Sequence, residues 1–484
     1  MTASRFHRRV AQATLLLLLL SACATNPAAT APQPVAASTP AQSLTDAALL
    51  EKIERDTFQW FWDTTNPKNG LVPDRWPTKS FSSIAAVGFG LTAYGIGAER
   101  GWITREQAAE RVLTTLRFFR NAPSGDAARG MTSYKGFYYH FLDMESGARF
   151  ETVELSTIDT TLMLAGALFC QSYFDRDNAT ERAIRETAEE LYRRAEWTFF
   201  HERAPLVSMG WTPENGLHDW DYTGYNEAML LYVLALGSPT HPIDASAWAA
   251  YTKTYRWGNF LGQEHLNFAP LFGHQYSHVW IDFRGIRDPY MREKGIDYFE
   301  NSRRATIAQR EYAIVNPHGF RGYGENVWGL TACDGPLDAT LTISGRPIKF
   351  MTYAARGAAF DEVRDDGTIA PTAAISSIAF TPEISTAAAR ELYRRHGANL
   401  YRQYGFVDSF NETLTIRTKT RHGEVVPGVG WFNTDYLGID QGPIVTMIEN
   451  HRSGLVWEMM KKNPHVRRGL QRAGFTGGWL EARP

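Results

Sequence analysis

Residues 210–242 read GWTPENGLHDWDYTGYNEAMLLYVLALGSPTHP, and the change of character at Tyr225 decides the fold. Up to Tyr222 the stretch is a polar, aromatic loop. From Tyr225 it is a helical run with no polar face, ended by Gly237, Pro239 and Pro242. A helix that is apolar all round must be buried all round. Ser82–Arg100 and Ser156–Phe174 are runs of the same kind. Interleaved with them are helices charged on one face: Asp46–Trp62, Thr104–Phe119 (with Thr104 and Gln107 as a capping box) and Ala179–Phe200. The pattern continues through Ala245–Tyr255, Met291–Val315, Ser385–Tyr404 and Tyr436–Lys461. Apolar helices covered by amphipathic ones predict an all-α fold, an (α/α) toroid of two concentric layers. Short strand-like runs at 340–344, 348–355 and 413–420 predict β-hairpins, which with the long loops gather on one face. No sequence period supports a solenoid.

Composition narrows the class. The 484 residues carry a net charge of −2 and no long basic stripe, which argues against a nucleic-acid partner. Fourteen tryptophans are more than a core requires, and tryptophan often lines ligand surfaces. The N-terminus has a basic segment, Arg5 to Arg9, then an apolar run, Leu15 to Leu20, too short to span a bilayer. Leu20-Ser21-Ala22-Cys23 resembles the bacterial lipobox. That resemblance implies a lipoprotein signal peptide over 1–23 and a lipid on Cys23. With Ala24 next, it implies an outer-membrane anchor facing the periplasm. Residues 24–44 are an uncharged Ala/Pro/Thr tether, and one catalytic domain is expected over 45–484. Cys170 and Cys333 support no disulfide framework, and no zinc spacing occurs.

Acids, amides and tryptophan faces are the inventory of a sugar site, and glycoside hydrolysis needs two carboxyl groups across the scissile bond. Glu227 stands at the mouth of the apolar helix, with Asn226 beside it; Thr223 or Asp221 can serve as the cap. A general acid must hold its proton, whereas a helix N-terminus favours the anion. Trp211, Trp220 or a similar neighbour must therefore dry Glu227; otherwise Glu214, Asp219 or Asp221 becomes the better candidate. Asp440, beside Gln441 in GIDQGP, is a candidate base or an N-cap before a turn forced by Gly442-Pro443. Asp159 reads as part of a near capping box with Ser156, and Glu154 before it is the alternative to face the pocket. Tyr276, Trp280, Asp282 and Arg284 share a stretch read as loop, where the Arg–carboxylate pair is structural or binds sugar hydroxyls. Glu325 and Trp328 lie near Asp334 and Tyr323. His274 and His278 are four apart with no third ligand, so no metal is expected. No cofactor is expected either, since no phosphate loop or GxSxG elbow is present.

Several stretches in order, among them GYNEAMLLYVLALGSPTHP, NPHGFRGYGENVWGLTACDGP, DDGTIAPTAAISSIAFTP and IDQGPIVTMIENHRSGL, resemble the glycoamylase-like domain. This is the domain of bacterial endo-β-1,2-glucanases of glycoside hydrolase family 144 and of cyclic β-1,2-glucan synthases. The resemblance covers about residues 50–480 and implies an (α/α)-barrel and hydrolysis of β-glucan, of β-1,2 linkage. By it Glu227 becomes the suspected general acid and Asp440 a residue important for activity. The remaining candidates, Asp159, Trp211, Trp220, Asn226, Tyr276, Trp280, Asp282, Arg284, Glu325, Trp328 and Gln441, are then substrate-binding. One departure stands out: where those glucanases carry D-L-V-E-T, this chain has Ser156-Thr157-Ile158-Asp159-Thr160. A lyase or phosphorylase on the same barrel, or a glycan-binding lipoprotein without turnover, are the alternatives.

Overall fold

A computed structural model describes residues 44–481; the expected signal peptide, Cys23 and all of the tether before Leu44 lie outside them. Fifteen α-helices occur among the described residues. They are α1 Asp46–Thr64, α2 Ile84–Glu99, α3 Arg105–Asn121, α4 Thr157–Tyr173, α5 Ala179–Arg194, α6 Ala228–Gly237, α7 Ser246–Thr252 and α8 Phe272–Trp280. After them come α9 Pro289–Lys294, α10 Tyr298–Val315, α11 Pro371–Ile375, α12 Pro382–Leu400, α13 Gly438–Arg452, α14 Leu455–Lys462 and α15 Pro464–Arg472.

The apolar runs form the inner layer. In α6 every residue is buried, and in α2 every residue from Ile84 to Gly97. Packing runs round a ring: α2 on α4, α4 on α6, α6 on α8, α8 on α13, and α13 back on α2. The amphipathic helices cover it: α1 lies on α2 and α13, α3 on α2, α5 on α4, and α15 on α6. A ten-residue helix such as α6 is too short to persist alone, so this burial is what holds it. The α2–α4 contact is backbone against backbone. A Cβ on Gly88 would stand 2.2 Å from the Leu162 carbonyl oxygen, and one on Gly166 2.1 Å from the Gly88 carbonyl oxygen.

Helix starts converge on one face. Arg75–Trp76, ahead of α2, pairs antiparallel with Tyr436–Leu437, which leads into α13. Leu155–Ser156, which leads into α4, pairs with Gly210–Thr212 of the aromatic loop. Gly438 N–H donates to the Asp74 carbonyl at 2.8 Å, and Ile84 N–H to that of His140 at 3.3 Å. The Ser277 hydroxyl of α8 donates to the Glu227 carbonyl at 3.0 Å, and Thr372 of α11 to that of Asp440 at 3.0 Å.

Four expectations change. Met291–Val315 is two helices, broken where Gly295 adopts φ 74°; Tyr436–Lys461 is also two, broken at Gly454 with φ 73°. The stretch read as loop at 272–280 is the buried helix α8. Its polar side chains are bonded inside the protein: Gln275 donates to the Ala373 carbonyl and Ser377 hydroxyl, both at 2.8 Å, and His278 pairs with Ser302 at 3.1 Å. Hydropathy cannot reveal a helix buried through hydrogen bonds. Residues 340–344 and 348–355 do yield a hairpin, Ala339–Ile343 against Arg346–Phe350, turned by Ser344 and Gly345 at φ 49° and 79°. Residues 413–420 form no strand. The Thr104–Gln107 capping box is present.

Candidate active site

The mouth of α6 is built by Asn226. Its side-chain carbonyl accepts from Ala228 N–H at 3.0 Å and from the Tyr251 hydroxyl at 2.9 Å, while its amide donates to the Thr223 carbonyl at 3.0 Å. Asn226 thus does the capping expected of Thr223 or Asp221, and is used up by it rather than offered to substrate. Glu227 is left without a structural duty. Its Oε2 is buried and has no hydrogen-bond partner. Burial pushes its carboxyl up to about 7, against its own backbone amide, with negative Asp159 adding to the rise.

The drying agents are not the expected tryptophans. Trp211 packs on Tyr134 and Phe199, with ring centroids 5.1 and 6.2 Å away, and Trp220 is 75% exposed. Three buried tyrosines, Tyr222, Tyr251 and Tyr276, stand within electrostatic reach of Glu227 instead. The substitutes named for Glu227 do not displace it. Glu214 is ion-paired to Arg149 at 2.8 Å, Asp221 to Arg203 at 2.7 Å, and Asp219 is exposed.

Asp440 sits in the first turn of α13, buried, with no donor on its Oδ2. It does not cap the helix, which begins at Gly438 and runs through Pro443. Proline at 443 has no N–H for the Ile439 carbonyl, and the Tyr276 hydroxyl donates to that carbonyl at 3.4 Å. The Asp440 carboxyl is in hydrogen-bonding contact with that of Asp408, whose Oδ1 also lacks a donor. Burial first, then the Asp408 charge, holds Asp440 well above the ordinary carboxylate range. Asp408 is pushed up to about 6, by burial and then Asp334, although its other oxygen accepts from Asp334 N–H, Ser409 and Asn433 at 2.8–3.0 Å. Two buried carboxyls in contact cannot both ionise cheaply, so the pair keeps a proton between them. Arg75 anchors the group, donating to Asp334 at 2.9 Å and Asp435 at 3.4 Å. It also lines a cleft of about 510 Å³ with Lys79, Phe81, Phe150, Arg421 and His422.

A third group lies at the start of α4. Ser156 is its N-cap, accepting from Asp159 N–H at 3.1 Å and donating to the Asp159 carboxylate. His140 contacts Glu154 at 2.9 Å and Asp159 at 3.5 Å. Burial disfavours charge on His140, but Asp159, Glu154 and Asp74 outweigh it and hold the imidazolium up to about 9. Tyr276 joins the three groups, since Asp440, Glu227 and Asp159 all act on its hydroxyl.

Of the remaining sequence candidates, Asp159, Tyr276 and Gln441 fall in this region. Gln441 donates to the Phe406 carbonyl at 3.1 Å and leaves its own oxygen unpartnered. Others do not. Trp280 is fully buried, donating to Thr92 at 3.0 Å; Trp328 is fully buried against Leu271 and Ala373. Asp282 lies beyond the C-terminal end of α8, gripped by Arg284 at 2.7 Å and Lys461 at 2.8 Å, and Arg284 stacks on Trp457. That pair is structural and sits at the opposite end of the ring from the helix starts. Glu325 is an exposed partner of Arg310. His274 and His278 are buried in α8, where burial keeps both uncharged, and no cluster of three metal-type ligands occurs among the described residues. The sequence reading passed over Arg75, His140, Asp408 and Asp435. Spacing in the sequence cannot separate these residues from the neighbouring acids and aromatics.

Known proteins share this sequence pattern and fold. The Glycoamylase family model, described as "Putative glucoamylase", matches residues 218–464. An exo β-1,2-glucooligosaccharide sophorohydrolase (non-reducing end) from Parabacteroides distasonis is 30% identical, the match covering 89% of this chain and 58% of that protein. The chain thus spans somewhat over half the length of that relative. An endo-β-1,2-glucanase from Chitinophaga pinensis, solved with sophorotriose and glucose, superposes with a TM-score of 0.76 at 30% identity, over 90% of this chain and 100% of that one. A crystal structure from Bacteroides uniformis, of the same description as the family, gives 0.76 at 34% identity, over 91% and 100%.

Proposed function

The chain belongs to the glycoamylase family, and from that premise we propose that it is a glycoside hydrolase cleaving β-1,2-linked glucan or its oligosaccharides. The observation that carries the reading is Glu227: a buried carboxyl with a free oxygen, pushed up to about 7, at the start of an inner helix. Such a group still holds a proton near neutrality and can give it to the leaving glycosidic oxygen. The Asp408–Asp440 pair is the base. It carries one charge and one proton; Asp440 takes a proton from the attacking water as the shared proton moves onto Asp408. Water oxygen bonds to the anomeric carbon, the glycosidic C–O bond breaks, and Glu227 protonates the departing oxygen. The sophorohydrolase and endo-β-1,2-glucanase relatives support the linkage.

A panel of β-1,2-, β-1,3- and β-1,6-glucans and their oligosaccharides tests the reading, with products separated by chromatography. Cleavage of the β-1,2 substrates is expected. Turnover confined to another linkage would reject the substrate, and no turnover on any would reject the reaction. We further propose that Cys23 anchors the protein by a lipid to the outer membrane on its periplasmic side, a reading supported by Leu20-Ser21-Ala22-Cys23. Labelled palmitate should enter the wild type and not Cys23→Ala; equal labelling would reject it.

A further inference from the structure

Two of the four tryptophans chosen from the sequence, Trp280 and Trp328, are fully buried, yet a pyranose ring has an apolar C–H face that calls for an aromatic partner. Large exposed aromatics among the described residues are Trp76, Trp220 and Tyr353. Trp220 borders a cavity of about 360 Å³ lined by none of the three acid groups. Trp76 follows Arg75 on a strand, so its side chain points to the opposite face from the guanidinium that grips Asp334.

Tyr353 differs. It follows the strand Arg346–Phe350 and keeps 55% of its surface open. The next residue, Ala354, pairs antiparallel with Cys333, and the N–H of the following Asp334 donates to Asp408 at 2.9 Å, which puts Tyr353 beside the Asp408–Asp440 pair. Its backbone is pinned from both sides. Met351 N–H donates to Asp366 and Thr352 N–H to Asp338, both at 2.9 Å. Arg356 donates to the Met351 and Thr352 carbonyls at 2.9 and 3.2 Å, and is itself buried and paired with both Asp366 oxygens at 2.8 Å. A buried bidentate ion pair thus sets the position of an exposed ring before any ligand arrives, which spares binding the cost of ordering it.

We propose that Tyr353 is the stacking platform of a sugar subsite, holding the apolar face of a pyranose ring whose hydroxyl edge meets Asp440 and Asp408. This subsite rests on the glycosidase reading above and adds the residue that positions the ring.

Steady-state kinetics on β-1,2-gluco-oligosaccharides, with calorimetric binding in a Glu227→Gln background, tests it. Tyr353→Ala should raise KM about tenfold or more, with kcat within about threefold. Tyr353→Phe keeps the ring and should stay near wild type, and Tyr353→Trp should bind at least as tightly. Normal KM and affinity in Tyr353→Ala would overturn the subsite while leaving the glycosidase reading intact. So would an equal loss in Tyr353→Phe, which would place the effect in the hydroxyl. A wild type that neither cleaves nor binds these glucans would overturn both.

Discussion

Replacing Glu227 by Gln removes the proton and keeps the shape. An ordinary glutamate with a pKa near 4.5 would be protonated in about one molecule in 300 at pH 7, whereas Glu227, held at about 7, is protonated in about half. That difference corresponds to roughly 3 kcal/mol of differential interaction, which burial must supply against the helix start. General-acid catalysis is typically worth about 10²–10⁴ in rate, so Glu227→Gln should lower kcat/KM on oligosaccharides by that range. Aryl glycosides with acidic phenol leaving groups need less protonation, and their loss should be distinctly smaller. The wild-type rate should fall as pH rises through about 7, where Glu227 loses its proton, and this basic limb should vanish in Glu227→Gln. The assay is a pH series of kcat/KM on both substrate types. A variant that keeps more than about a tenth of the activity, or retains the basic limb, would refute the assignment.

Three further outcomes follow from other parts of the molecule. Asp408→Asn removes the charge that, after burial, raises Asp440, so Asp440 should release its proton at lower pH, read by carbon NMR of labelled aspartate; an unmoved midpoint would argue against the shared proton. Glu54, buried against Glu449 and Arg452, is pushed up to about 9 by burial first. Between about pH 5 and 9 the unfolded chain releases a proton that native Glu54 keeps, so stability falls as pH rises through that window. Glu54→Gln cannot ionise and should lose less melting temperature between pH 6 and 9 than the wild type; equal losses would contradict this. Gly88→Ala puts a methyl 2.2 Å from the Leu162 carbonyl oxygen, where backbone must move, and should cost about 1–3 kcal/mol in denaturant unfolding. An unchanged midpoint would show that α2 and α4 can part.

The layers and a candidate acid are legible in the sequence. A helix apolar on every face, as in α2 and α6, can only be interior, and hydrophobic pattern is a local property that a chain displays without folding. The loop-to-helix change at Tyr225 also put Glu227 at a helix mouth, and motif resemblance separated it from Glu214, Asp219 and Asp221. The tertiary structure decided what surrounds that acid. Tyr251 and Tyr276, which stand within electrostatic reach of it, and the residues that pair with Asp440 come from distant segments. The tryptophans beside Glu227 in sequence point elsewhere, and Asp282 and Arg284 closed on each other at the far end of the ring. Helix α8 escaped notice because hydrogen bonds, not apolar surface, bury its polar side chains. Burial and pairing are set by which chain ends meet in space, and a pKa follows them. The stretch 210–242 therefore points to a candidate acid but cannot say what shifts its pKa.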